Sequence, residues 1–134
     1  MQLHGEDGAA AVEFALVFPI LILLVFGIIE FGLALYTKEV VTNASREGAR
    51  AGIIIGSPRL TADEIKGVVV TALTNAGLNS CNAACITVTG AQGSSGDDLT
   101  VRVDYAYRFS VLANLIAGFT GNVTLSAQTV MQQE

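Results

Sequence analysis

Glu13 is the residue whose type and position most need an explanation, because it is a carboxylate at the start of a long apolar run. Phe14–Ile29 contains no charged residue, and a second carboxylate, Glu30, follows it. A charge in apolar surroundings is costly unless a partner pairs with it or it reaches water. We expect Glu30 to lie at the far membrane interface, and Glu13 to have a role that justifies its cost.

Cys81 and Cys85 are the only cysteines, and they lie in a short polar stretch. Two ligands are too few for a metal site, and the only histidine, His4, is far away in the sequence. A disulfide is the favoured interpretation if this part of the chain lies outside the cytoplasm. A pair of buried thiols is the alternative.

The sequence offers no other reactive set. No Ser-His-Asp combination, metal-ligand cluster or phosphate-binding loop is present. Asp97 and Asp98 could hold calcium loosely, although adjacent acids in a Gly/Ser loop are more often solvated. We therefore predict a protein that is not an enzyme and has no cofactor, metal or small-molecule substrate. A net charge of −5 also argues against nucleic acid as a partner.

The apolar run predicts a membrane helix. As a helix, Phe14–Ile29 would be roughly 24 Å long, and the hydrocarbon core of a bilayer is about 30 Å thick. Residues 31–36 supply the missing length if Glu30 lies near the far interface. A secretory signal peptide is the alternative, but its apolar region is shorter and a small-x-small cleavage site follows it. We therefore predict an anchor helix at 9–36 that continues outside the membrane through 37–55.

Small residues recur every four positions in this continuation, at Ala44, Gly48, Gly52 and Gly56. Each glycine inside a helix costs up to about 1 kcal/mol relative to alanine. The stripe therefore predicts close helix packing. It either contacts this protein's own domain or a neighbouring helix.

Residues 56–134 predict a small α+β head. Thr61 and Glu64 fit a helix-capping box, and apolar residues follow at helical spacing up to Gly77. Beyond it the period changes to two, which predicts strands at 86–89, 99–109 and 123–129. We expect the fold class to be α+β, with one amphipathic helix covering a sheet of about three antiparallel strands.

The connection at 111–120 is apolar although connections are usually polar. Either its large side chains complete the core beneath the sheet, or Leu115 and Phe119 form a contact patch for a neighbouring head or the membrane surface.

Three segments together resemble a known family: GAAAVEFALV at 8–17, FGIIEFGLALY at 26–36 and VTNASREGAR at 41–50. They look like the TadE-like family of tight-adherence (Flp-type) pilus assembly proteins, which are type IV pilin-like. The resemblance implies that a prepilin peptidase cuts between Gly8 and Ala9, so that residues 1–8 form a leader. Glu13 is then the fifth mature residue and, with Phe14, serves assembly.

The resemblance implies a single-pass subunit in the bacterial inner membrane with an extracytoplasmic head. Its partners would be other pilin-like subunits, and we expect a minor pilin or pseudopilin. A main filament subunit and an anchored binding domain outside any filament are the alternatives. Residues 1–8 depart from the family in having no Lys or Arg, so charge does not hold this end in the cytoplasm.

The resemblance also sharpens the two interpretations of Glu13. Cleavage would create an ammonium group at Ala9, on the same subunit or its neighbour, and a buried pair of this kind fixes register more reliably than it adds stability. In the other interpretation, Glu13 reaches water at the cytoplasmic interface.

Overall fold

A computed structural model of the chain describes the backbone of residues 4–54, 56, 58–116, 118 and 121–134, and the side chains from residue 8 onward. The described residues form three helices: α1 (His4–Ile53), α2 (Ala62–Asn75) and the short α3 (Leu112–Leu115). A 3₁₀ turn, Ala83–Cys85, precedes the three strands β1 (Ile86–Thr89), β2 (Asp98–Arg108) and β3 (Asn122–Gln132). The predicted α+β class is confirmed.

The chain divides into two compact units. The first contains the chain up to Leu33 together with Phe109–Gly121, and the second contains Ala34–Arg108 together with Asn122–Glu134. The apolar part of α1 therefore belongs with the connection between β2 and β3, whereas the rest of α1 belongs with α2 and the sheet.

In the first unit, α1 is apolar and exposed. Leu16 is 69% exposed, and large apolar side chains up to Leu33 are similarly uncovered. By length and composition, the helix from Gly8 to Ile53 is a candidate membrane span, with a mean hydropathy of 2.8 over an 18-residue stretch. Pro19 lies inside this helix, as membrane helices tolerate.

In the second unit, α2 begins with the predicted capping box. The Thr61 hydroxyl oxygen accepts a hydrogen bond from the Glu64 backbone N–H at 3.3 Å, and the Thr61 N–H donates to Glu64 Oε2 at 2.7 Å. The Thr61 backbone N–H, together with its hydroxyl, holds the pKa of Glu64 below its usual value. Two backbone donors at the start of the helix are thereby satisfied, which fixes where α2 starts.

The sheet has the order β1-β2-β3, and both pairs are antiparallel. β3 pairs with β2 along its whole length, from Asp98↔Gln132 to Arg108↔Asn122, so it extends further at its C-terminal end than the predicted 123–129. The inner face of β2 is buried through four side chains: Leu99, Val101, Val103 and Tyr105.

The predicted helix, α2, covers this face, and the second half of α1 covers it as well. α2 contributes Ile65, Val69 and Leu73, and the second half of α1 contributes Val41, Ala44 and Ala49. The amphipathic pattern of α2 made it recognisable, whereas the buried side of α1 consists mainly of small residues that carry little hydropathy signal.

The small-residue stripe lies against this protein's own core. A Cβ added at Gly48 would lie 2.4 Å from Val69 Cγ2, and one at Gly52 would lie 2.5 Å from Leu99 Cδ2. Both distances are far below van der Waals contact, so only glycine allows this approach of α1 to α2 and β2. Gly56, by contrast, lies beyond the end of α1 and is exposed.

Gly48→Leu should therefore destabilise the second unit. Val69 is fully buried and cannot move aside, and overpacking of a core costs about 3 kcal/mol or more for so large a change. In a domain of this size the loss lowers Tm by roughly 10–20 °C. The measurement is thermal unfolding of the full chain in detergent, followed by circular dichroism.

Gly67→Leu is the matched control, because Gly67 is also helical and nothing lies within 4 Å of an added Cβ. It should be neutral or stabilise by up to about 1 kcal/mol through helix propensity. Equal Tm values for the two variants would contradict the packing role of Gly48.

Candidate functional site

Glu13 lies on the exposed apolar surface of α1. Its neighbours Val12 and Phe14 are 61% and 62% exposed, and the rings of Phe14 and Phe18 have centroids 5.2 Å apart. In the part of the chain that the structure describes, no cation or hydrogen-bond donor meets the Glu13 carboxylate. A charged partner for the Glu13 carboxylate would therefore have to come from outside the described part of this chain.

Gly8 and Ala9 lie one turn before Glu13, within α1, and both are exposed. Nothing lies within 4 Å of a Cβ added at Gly8. The fold therefore places no packing constraint on this glycine.

For Glu30 the sequence predicted only a position near the far membrane interface, and the structure adds that the residue is buried. The residue is only 5% exposed. Its Oε1 accepts hydrogen bonds from the backbone N–H groups of Ser110 at 2.7 Å and Val111 at 2.6 Å, and its Oε2 accepts one from Leu112 at 2.9 Å. Charge-assisted bonds of this kind are roughly twice as strong as those between neutral groups.

The carboxylate takes the place of a local helix cap. Val111 is the residue before α3, and its side chain makes no capping hydrogen bond. The first N–H groups of a helix need acceptors, and here Glu30, from a distant part of the chain, accepts from the first of them, that of Leu112, and from the two N–H groups that precede α3. This role of Glu30 was missed, because it depends on a contact between residues about eighty positions apart.

The segment Phe109–Gly121, which we name the β2–β3 loop, closes on itself. The Phe109 N–H donates to the Gly121 carbonyl at 2.8 Å. Gly121 has a φ of 71°, and a Cβ there would lie 2.6 Å from Ala113 Cβ. Gly121 is therefore required both by its backbone conformation and by close packing within the loop.

The predicted contact patch is described only in part. Leu115 is 51% exposed and Ile116 is 43% exposed, so the alternative in which these side chains complete the core is wrong for both. Leu112 is half-buried. Phe119, the other residue of the predicted patch, lies outside the described residues.

Cys81 and Cys85 lie at disulfide distance, with their Cα atoms 5.8 Å apart. Cys81 is buried at the edge of the core and Cys85 is half-buried. The proximity agrees with the favoured pairing.

The described part of the chain contains no preformed metal site, because no three His, Cys, Asp or Glu residues lie together there. The Asp97 carboxylate, weighed above as a calcium ligand, instead accepts a hydrogen bond from the Ser94 N–H at 2.8 Å. This bond is within the turn that precedes β2.

Comparison with known proteins concerns the same part of the chain. Residues 8–50, about a third of it, match the family model described as TadE-like protein. Searches of curated proteins and of solved structures give no match. The matched range begins at Gly8 and contains Glu13, Glu30 and the first half of the small-residue stripe, Ala44 and Gly48. The resemblance seen in the sequence is thus confirmed: residues 8–50 match the TadE-like family, and that family suggests a part in tight-adherence pilus assembly.

Proposed function

We propose that this chain is a membrane-anchored, pilin-like subunit, of the minor pilin or pseudopilin kind, that takes part in assembly of a tight-adherence pilus. The observation that carries the proposal is Glu13, a carboxylate without a described partner on the exposed apolar face of a TadE-like helix. A surface of this kind suits a helix that later packs against other helices.

The packing of the glycines in α1 supports a contact between subunits in the first half of this helix. Gly48 and Gly52 are occupied by contacts with the protein's own α2 and β2, so they are not available to a neighbouring helix. The exposed apolar stretch around Glu13 is available. We therefore place the contact between subunits on residues 9–29 of α1, and not on the small-residue stripe.

Processing supplies the partner for Glu13 in this proposal. A prepilin peptidase would cut between Gly8 and Ala9 and leave an ammonium group at Ala9. In a growing filament, the Glu13 carboxylate would pair with this group and fix the register of the incoming subunit. An incorrectly placed subunit would bury an unpaired charge, at a cost of several kcal/mol.

The anchor would lie in the inner membrane with the second unit on the extracytoplasmic side. Cysteines at disulfide distance agree with this orientation, since disulfides persist in oxidising compartments.

Fractionation of the native cells tests the role. An antibody against the second unit should find most of the protein in membranes and a small share in pili sheared from the surface, and cells that lack the protein should lose their pili. A protein that dominates the sheared fraction would be the main subunit. A protein absent from sheared pili, in cells that form pili without it, would contradict the proposal and favour an anchored binding domain.

A further inference from the structure

We propose that the β2–β3 loop is a membrane-interface element, which Glu30 holds beside α1 and which presents Leu115 and Ile116 to lipid. The inference goes beyond the proposed function. It requires α1 to be embedded in a membrane, and it is independent of any filament.

The first argument is the position of Glu30 along the helix. The apolar run begins with Phe14 at the opposite edge of the hydrocarbon layer. Glu30 is roughly 24 Å from Phe14 along α1, and the layer is about 30 Å thick. It therefore lies close to the edge of that layer. The backbone of Ser110 and Val111 is hydrogen-bonded to its carboxylate at 2.7 and 2.6 Å, so the loop has to lie at the same depth.

The second argument is that polar groups of residues 110–116, the first part of the loop, are hydrogen-bonded within the protein. An unpaired backbone N–H in hydrocarbon costs several kcal/mol. Glu30 accepts from three N–H groups at the start of the loop. The Asn114 side-chain amide donates to the Ser110 carbonyl at 2.8 Å, and the Ile116 N–H donates to the Leu112 carbonyl at 3.0 Å. Residues 110–116 can therefore leave water at little cost in free energy.

The third argument is the apolar surface. Residues 109–121 contain no charged residue, and Leu115 and Ile116 are about half exposed. On the same compact unit, Ile29 and Phe31 of α1 flank Glu30 and are 51% and 61% exposed. The loop and the helix that holds it thus both present exposed apolar side chains within the same compact unit. Exposed apolar surface needs a cover, and because Glu30 holds the loop at the depth of the embedded helix, lipid is the cover.

The test uses tryptophan, since the chain has none. Leu115→Trp is made in the full chain, which is reconstituted at high dilution into phosphatidylethanolamine–phosphatidylglycerol vesicles. Some vesicles carry bromine on the acyl chains near the headgroups, and bromine quenches tryptophan on contact. Phe18→Trp, in the apolar run of α1, is the embedded reference. Val130→Trp, on the polar outer face of β3 in the second unit, is the water-exposed reference.

We expect blue-shifted emission from Leu115→Trp and quenching about threefold greater than from Val130→Trp, as for a side chain a few ångströms below the headgroups. Quenching no greater than that of Val130→Trp, with red-shifted emission, would place the loop in water and overturn the proposal. Blue-shifted emission without quenching would mean that protein, such as a second copy, covers the loop, and would also overturn it. If Phe18→Trp is quenched and Leu115→Trp is not, α1 is embedded in the membrane and the loop is not in contact with lipid. That result would refute this inference and leave the proposed membrane anchor standing.

The positioning role of Glu30 has its own test in the same vesicles. Adding Glu30→Leu to the Leu115→Trp chain should at least halve the quenching, because the loop loses the acceptor for three N–H groups. Glu39→Leu is the matched control, since Glu39 is an exposed glutamate of the same helix and should leave quenching unchanged. Equal quenching with and without Glu30 would overturn its role.

Discussion

Glu13→Leu should insert into the membrane at its normal level and fail to support pilus assembly. Replacing the carboxylate makes the span more apolar, so insertion becomes easier. In the assembled state, the ammonium group at Ala9 would lose its partner. Removing one member of a buried ion pair costs about 3–5 kcal/mol, which corresponds to a loss of roughly a hundredfold or more in the assembled fraction.

The measurement is the number of pili per cell, beside the amount of the protein in the membrane fraction. Val12→Leu is the matched control, because Val12 is the exposed neighbour of Glu13 and the change adds only apolar volume. The intact mass of each variant shows whether processing has taken place. Normal piliation in Glu13→Leu cells would mean that Glu13 is an interface residue and has no role in assembly.

Gly8→Val should block processing almost completely, so that the protein from native cells retains residues 1–8. A peptidase needs close approach to the backbone at its cut, and a branched side chain prevents that approach. The structure makes the reason for any loss unambiguous. Nothing lies within 4 Å of a Cβ at Gly8, so valine is tolerated by the fold itself.

Intact-mass measurement of the purified protein tests this prediction, and Gly27→Val is the control. Gly27 lies in the same helix, and nothing lies within 4 Å of an added Cβ there either. The control should be cut between Gly8 and Ala9 as the unchanged protein is. Processing of Gly8→Val to that same mature mass would rule out the assigned site.

The sequence alone was enough for the features that depend on neighbouring residues. The candidate membrane span follows from uninterrupted hydropathy in Phe14–Ile29, the start of α2 follows from the spacing of Thr61 and Glu64, and β2 follows from strict alternation. The TadE-like segment was recognisable for the same reason, since its motifs are short and contiguous.

Two questions could not be decided from the sequence. The stripe containing Gly48 and Gly52 could have met a neighbouring helix or the protein's own core, and periodicity is the same in both cases. The exposure of Leu115 was open in the same way. The structure decides both, because it shows which surfaces meet.

Glu30 is the clearest case of what only the tertiary structure decided. By sequence it is a charge near the end of an apolar run, and an interface position is the simplest assumption. Its three backbone donors come from residues 110–112, whose sequence contains no sign that their N–H groups lack a local acceptor. Local patterns determine where helices and strands form, since those hydrogen bonds join neighbouring residues. A contact between distant residues depends on how the chain folds back on itself, and that information is spread over the whole sequence.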